Sequence, residues 1–351
     1  ETIRQAREMG VDTKMVTGDH LAIGKETARQ LGLGEHLYPA GDVFGAEGAF
    51  TDEQIESAAG FAQVYPEHKY KIVEALQRKG HLVGMTGDGV NDAPALKRAD
   101  AGIAVSGATD AARGAADLVL TLPGLSVIIT AIKESRRIFQ RMTSYATYRI
   151  AETIDVLMFM TLSILIFRDY PLSAVMIIIL ALLNDLPIMM IAYDNVSLPT
   201  KPVNWDMPKI MSTAAVLGAI SVAFSFLLYW FATEWASVGH MLLSTPQLPS
   251  DLTGSPLVQW FGIDRIIEWQ KILPAMTPAA DPAHNPISTL MFLKLAVAGH
   301  MTLYMARKGG DWFFSRPWPN WKLLAVCEST QLIGLLVGVY GFGIMAPVGW
   351  A

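Results

Sequence analysis

Thr86-Gly87-Asp88-Gly89-Val90-Asn91-Asp92-Ala93-Pro94 gathers two carboxylates and an amide in one short loop. Hard oxygen ligands of this kind suit Mg²⁺, and Mg²⁺ usually arrives with a phosphate. A second loop, Thr17-Gly18-Asp19, offers a hydroxyl, a glycine and another carboxylate. Between the two, Lys69 carries an ammonium that can meet a phosphoryl oxygen as a point charge. A lone Gly-Asp-Gly is most often a helix-capping turn. Nine specified positions in a row ask for more than a turn.

The elements around these loops place them together. His81–Met85 predicts a short buried strand that delivers Thr86, and Asp92–Leu96 opens a helix with Pro94 in its first turn. Val11–Val16 predicts a strand ending at Thr17, followed by a helix over Ala22–Leu33. Ala62–Val64 predicts a strand and Glu67–Lys79 a helix, while Ala101–Val105 and Leu118–Leu120 are further short strands around a helix near Asp110–Ala115. Strand and helix alternating at this spacing predict a parallel α/β sheet, whose ligands sit at the carboxyl ends of its strands. Thr17–Asp19 and Thr86–Asp92 both lie at such ends and could face one phosphate.

Composition divides the chain. It has 351 residues, 52% of them hydrophobic, with the charge concentrated in residues 1–149 and long apolar runs in 150–351. A net charge of −5 leaves no footprint for nucleic acid. The single cysteine, Cys327, excludes an intramolecular disulfide. Five stretches approach the roughly 20 apolar residues that a membrane span needs: about 150–167, 171–193, 212–235, 287–306 and 321–346. Residues 125–149, rich in arginine, read as a helical stalk running without Pro or Gly into the first span. The basic stalk and the basic loops 194–211 and 307–320 fall on one side, which the positive-inside tendency makes cytoplasmic together with residues 1–149. The longer loop 236–286, with Trp260 and Trp269 in an interfacial segment, then lies outside.

Ionisable groups inside these spans are the second set of candidates. Asn184 and Asp185 stand in the second span, and Pro187 frees the Leu183 carbonyl beside them. Glu152 and Asp155 lie one turn apart in the first span, and are expected to share a face and to form one cytoplasmic-side group with Asp185, His300 and Glu328. Lys294 is expected nearer the outer side.

Thr86–Pro94 resembles the hinge motif of the P-type ion-pumping ATPases, within the haloacid-dehalogenase class of phosphotransferases. The resemblance implies a partial α/β haloacid-dehalogenase-like phosphorylation domain over 1–124, the stalk over 125–149, and an α-helical transmembrane bundle over 150–351. It implies that Thr17 and Gly18 bind the phosphoryl group, with Asp19 in the same loop, that Lys69 neutralises its charge, that Asp88 holds Mg²⁺, and that Asn91 and Asp92 complete the phosphate and metal network, Asp92 as the second metal residue. The family's phosphorylated aspartate lies in Asp-Lys-Thr-Gly-Thr, which does not occur here, and its nucleotide-binding domain is not in these residues either. The 351 residues therefore read as part of a longer pump, inactive alone, whose substrate is ATP and whose partners are the bilayer, the transported cation and the pump's other segments.

Tyr65–Tyr70, Leu120–Ile128, Ile138–Met142 and Leu183–Asp185 resemble the proton-pumping plasma-membrane branch. That implies Asp185 as proton carrier, assisted by Asn184, Asp155 and Glu152. Plant members pair the carrier with an arginine on the preceding span; the aligned residue here is Asp155. Two neighbouring carboxylates resist ionising together, so the pair could share a proton, with Lys294 or Arg149 supplying positive charge. The alternatives are a pump for another cation, where the second carboxylate helps to bind metal, and a non-catalytic membrane fragment.

Overall fold

The computed structural model describes residues 1–45, 50–199, 205–244, 256–261, 285–307 and 315–342. They form two units, Glu1–Arg136 with Leu198–Val203, and Arg137–Ser197 with Asn204–Ala351.

The first unit alternates strand and helix. In order come α1 (Thr2–Glu8), β1 (Met15–Val16), α2 (Leu21–Leu31), β2 (Leu37–Pro39), α3 (Ala40–Phe44), α4 (Asp52–Ser57), β3 (Gly60–Ala62), α5 (Pro66–Arg78), β4 (Gly84–Gly87), α6 (Ala93–Arg98), β5 (Ala101–Ala104), α7 (Asp110–Ala115) and β6 (Leu118–Val119). All strand pairs are parallel. They make two three-stranded sheets, ordered β1-β3-β2 and β4-β5-β6, rather than one continuous sheet. β1 and β4 each end their own sheet.

The strands are shorter than the sequence predicts, for local reasons. β1 pairs only with Gly60 and Phe61, and Lys14 before it turns its ammonium to the carbonyls of Glu56 (2.5 Å) and Ala58 (2.6 Å). A Cβ on Gly60 would lie 2.2 Å from the Met15 carbonyl oxygen, so this approach requires glycine. β3 stops at Ala62 because Gln63 takes a positive φ of 52°, which leaves the extended region. β4 begins at Gly84, and His81 leaves the sheet to reach Glu56 at 2.6 Å. As an edge strand it is not buried: Leu82 before it is 83% exposed and Met85 is only partly covered. The core of the first sheet is Ala40, Val43, Ile55, Phe61, Ile72 and their neighbours; Leu96, Ala104, Ala108 and Ala112 pack the second.

The second unit is helical. α8 (Ser126–Phe167) is one unbroken helix of 42 residues, entering from the first unit's sequence. α9 (Ala174–Met190), α10 (Met207–Ser244), the short α11 (Pro256–Phe261), α12 (Pro286–Ala306) and α13 (Trp321–Tyr340) follow. Five of these are long and apolar enough to cross a membrane. α9 starts at Ala174 because the Ser173 hydroxyl accepts from the Met176 amide, and α10 starts early because Asp206 caps Lys209. α13 ends at Gly341 with φ 67°; the expected continuation to 346 lies beyond the described residues, as do Trp269, Lys201 and Lys308. Phe159, Met176, Leu180, Tyr229, Met291 and Phe292 are buried together inside the bundle. Leu165, Ile178, Leu182, Phe224 and Leu227 face outward, each more than 60% exposed, as an exterior solvated by lipid requires.

Candidate functional site

Lys69 and Asp92 are the pair that joins the two sheets' loops. Lys69 stands in the first turn of α5, just after β3. His68 beside it is buried, and its Nδ1 accepts from the Tyr65 amide, fixing the start of the helix. Lys69 Nζ donates to Asp92 Oδ1 at 2.6 Å, with the carboxylate 7% exposed. Asp92 Oδ2 accepts from the amides of Asp88 (3.2 Å) and Gly89 (3.3 Å). Burial by itself pushes the Asp92 carboxyl up, but the Lys69 ammonium and the two amides outweigh it and hold the group below the ordinary aspartate value. Gly87 permits this fold of the loop, since a Cβ there would come within 2.6 Å of the Asp92 Cβ.

Both Asp92 oxygens thus have protein donors, so Asp92 organises the loop that presents Asp88. The Asp88 side chain is exposed and accepts no hydrogen bond among the described residues, as a carboxylate free to take a hard cation would be. Asn91 is exposed on the same loop. On the other sheet the Thr17 hydroxyl donates to Asp19 Oδ2 (2.9 Å) and accepts from the Asp19 amide (3.1 Å). The Thr17 carbonyl accepts from Val64 and the Asp19 carbonyl from Gln63, tying this loop to the end of β3 that leads into Lys69. Gly18 is exposed between them. Thr17, Gly18, Asp19, Lys69, Asp88, Asn91 and Asp92 all lie on strand-to-helix loops or the helix start behind them. Lys69 makes the direct bond across.

The helical unit does not gather its polar residues into one group. Arg149 Nη1 lies 3.0 Å from both Glu152 Oε2 and Asp185 Oδ1. Asn184 donates to Glu152 Oε1 at 2.8 Å, while its own Oδ1 is buried with no donor among the described residues. Asp185 is half exposed. Asp155 belongs to a different set: Ser221 Oγ is 2.5 Å from its Oδ2, Ser225 Oγ is 3.4 Å from its Oδ1, and Lys294 Nζ is 3.6 Å away. Asp155 therefore does not pair with Asp185, and does not share the face of Glu152. Three residues fall about 60° short of a full helical turn, enough to turn Glu152 to α9 and Asp155 to α10. His300 Nε2 meets Thr330 at 3.0 Å, and Glu328 meets Tyr304 at 3.5 Å, so these two stay apart from both sets.

Sequence reasoning passed over one buried ion pair. Arg307 Nε is 2.5 Å and its Nη2 3.1 Å from the two Asp194 oxygens, both side chains almost wholly covered. The only cues in the chain are an aspartate just after one span and an arginine at the end of another.

The haloacid dehalogenase-like hydrolase family model matches residues 1–100. A protein of Methanocaldococcus jannaschii with the provisional name cation-transporting ATPase is 44% identical over 355 aligned positions, 99% of this chain and 38% of that protein. This chain thus spans about two-fifths of that relative's length. Among solved structures, the catalytic domain of the CPx-ATPase CopB-B is 25% identical over 37% of this chain and 42% of that one, with a TM-score of 0.29, too low to add to the fold. The fold of the first unit is that of a haloacid dehalogenase-like hydrolase domain with parallel sheets, accompanied by apolar helices able to span a membrane.

Proposed function

We propose that this chain, a relative of the P-type cation-transporting ATPases, forms part of an ATP-driven cation pump of the plasma membrane, exporting protons, with residues 1–149 cytoplasmic. The observation that carries the reading is the Lys69–Asp92 bond, which ties an ammonium in the first turn of α5 to the loop after β4 that carries the Asp88 carboxylate. A scaffold has no use for that arrangement. The pump's phosphoryl group would be bound by the Thr17 hydroxyl and the exposed Gly18 backbone. Lys69 would stabilise its charge from α5, and Asn91 would hold it from the other loop. Asp88, the carboxylate with uncommitted oxygens, would hold Mg²⁺, helped by the loop that Asp92 keeps in shape. Mg²⁺ there would supply charge neutralisation of the phosphoryl oxygens. The aspartate that accepts the phosphoryl group is not among these 351 residues.

In the bundle, the proposed proton carrier is Asp185. Its positive partner is Arg149, taking the part that plant pumps give to an arginine at the position of Asp155. Arg149 is shared between Asp185 and Glu152, so the carrier can exchange its positive partner with a neighbouring carboxylate. A second reading, a pump for a metal cation, is favoured by the bare Asn184 Oδ1, which together with Glu152 and Asp185 makes a set of oxygen ligands. ATPase activity of the complete protein, measured with Mg²⁺ in choline buffer and then with added Na⁺, K⁺ or Ca²⁺, decides. Full activity in choline supports proton export, and a requirement for one of the added ions overturns it.

A further inference from the structure

We propose that the Lys294 ammonium is a tethered occupant of a monovalent-cation site built by α8 and α10. Lys294 reaches from α12 to the carbonyl oxygen of Ser221 (3.0 Å), the hydroxyl of Ser221 (3.1 Å) and the hydroxyl of Ser225. These three acceptors satisfy all three of its protons. The Asp155 carboxylate stands behind them at 3.6 Å. Asp155 is 6% exposed and Ser225 fully buried. Ser221 and Ser225 lie one turn apart on α10, and both reach the same carboxylate.

An ordinary ion pair closes to direct contact between nitrogen and carboxylate. Here the ammonium's hydrogen bonds go to neutral oxygens, and the Asp155 carboxylate stands beside them within ion-pair reach at 3.6 Å. That is how a protein cage holds a bare cation whose water has been replaced. One carboxylate with hydroxyl and carbonyl oxygens matches a single positive charge. A divalent ion would call for more carboxylates. In the bilayer a carboxylate without such an occupant is expensive, so removing the lysine leaves a site that an ion can refill. The consequence, which rests on the pump reading, is that Lys294 keeps Asp155 from serving as a second transport site beside Asp185. The site itself does not rest on that reading.

The test uses the complete protein carrying Lys294→Met, purified in lipid nanodiscs. Radioactive Rb⁺ binding is compared with wild type, and thermal unfolding is followed in KCl against choline chloride. Lys294→Met is expected to bind Rb⁺ about tenfold or more tightly than wild type, and to unfold at a higher temperature in K⁺ than in choline. Asp155→Asn/Lys294→Met, which removes both charges, is expected to do neither. Equal Rb⁺ binding by wild type and Lys294→Met, or equal binding by the single and double variants, overturns the proposal. So does a Lys294→Met protein that cannot be recovered folded in K⁺ while the double variant can. Neither readout involves ATP, so failure here leaves the pump reading intact, and loss of ion-independent ATPase leaves the binding result intact.

Discussion

Asp92 shows how one residue can matter without touching substrate. Its two oxygens collect the Lys69 ammonium and the Asp88 and Gly89 amides, so it fixes both the charge and the loop that would face the proposed phosphoryl group. Its carboxyl is held below the ordinary aspartate value, so the folded state binds the proton less readily than the unfolded chain. The stabilisation is fully present above the unfolded pKa of about 3.9 and is lost as pH falls through the lower folded value. The difference in thermal midpoint between wild type and Asp92→Asn is therefore expected to be constant from neutral pH down to about pH 4 and to vanish below it. A difference that grew on acidification would mean the pair is not ionised as described. Asp88 behaves differently, because its side chain makes no hydrogen bond or ion pair among the described residues. Asp88→Asn is expected to leave the unfolding free energy within about 0.5 kcal/mol of wild type, yet to abolish Mg²⁺-dependent phosphoenzyme formation in the complete pump. Phosphorylation at the normal level in that variant would remove Asp88 from its proposed role.

At the scale of elements, short loops were legible and helix faces were not. Thr86–Pro94 could be read because its chemistry is contiguous, and a strand of any length before it delivers Asp88 to the same end of a sheet. The strand lengths were less legible, since the stop in β3 comes from a positive φ at Gln63 that no composition signal announces. Asp155 was the hardest to place. The spacing from Glu152 leaves the two about 60° apart on α8, but which groove each enters depends on where α9 and α10 lie, and that is set by small residues. A Cβ on Gly218 would lie 2.8 Å from Ile154 Cγ2, and one on Gly299 would lie 2.9 Å from Asn184 Oδ1. Gly299→Ala is thus expected to push Asn184 off Glu152 and to cost about 1–3 kcal/mol, measured by unfolding in detergent, whereas Gly299→Ala with Asn184→Ala should recover part of the loss. The Asp194–Arg307 pair acts on a larger set of elements. Asp194 follows α9, Arg307 ends α12, and the Asn320 amide at the start of α13 also donates to Asp194 at 3.0 Å. Arg141 of α8 adds a bond to the Asp194 carbonyl at 2.9 Å. Asp194→Leu strands a buried guanidinium and is expected to cost about 3–5 kcal/mol, while Asp194→Leu/Arg307→Met should lose much less. Equal losses in the two variants would make the pair a bystander.

For the molecule as a whole, the proposed pump reading turns on which carboxylate in the bundle would move charge across the membrane. Asp155 has a permanent companion in Lys294 and hydroxyls on both oxygens. Asp185 has a partner shared with Glu152, and half of its surface is uncovered. A carrier must change partners during a cycle, and Arg149 offers that exchange because the same Nη1 atom serves both carboxylates. Asp185→Asn in the complete pump, reconstituted in sealed vesicles, is expected to stop ATP-driven acidification. Glu152→Gln removes the competing claim on Arg149, which then stays with Asp185. That variant should still transport, but more slowly, because Asp185 loses the exchange of its partner. Arg149→Gln removes the shared partner altogether and is expected to slow transport as well. If Asp185→Asn vesicles acidified at the wild-type rate while Asp155→Asn vesicles did not, the carrier would be the buried carboxylate, and Lys294 would have to be a moving partner instead of a fixed one.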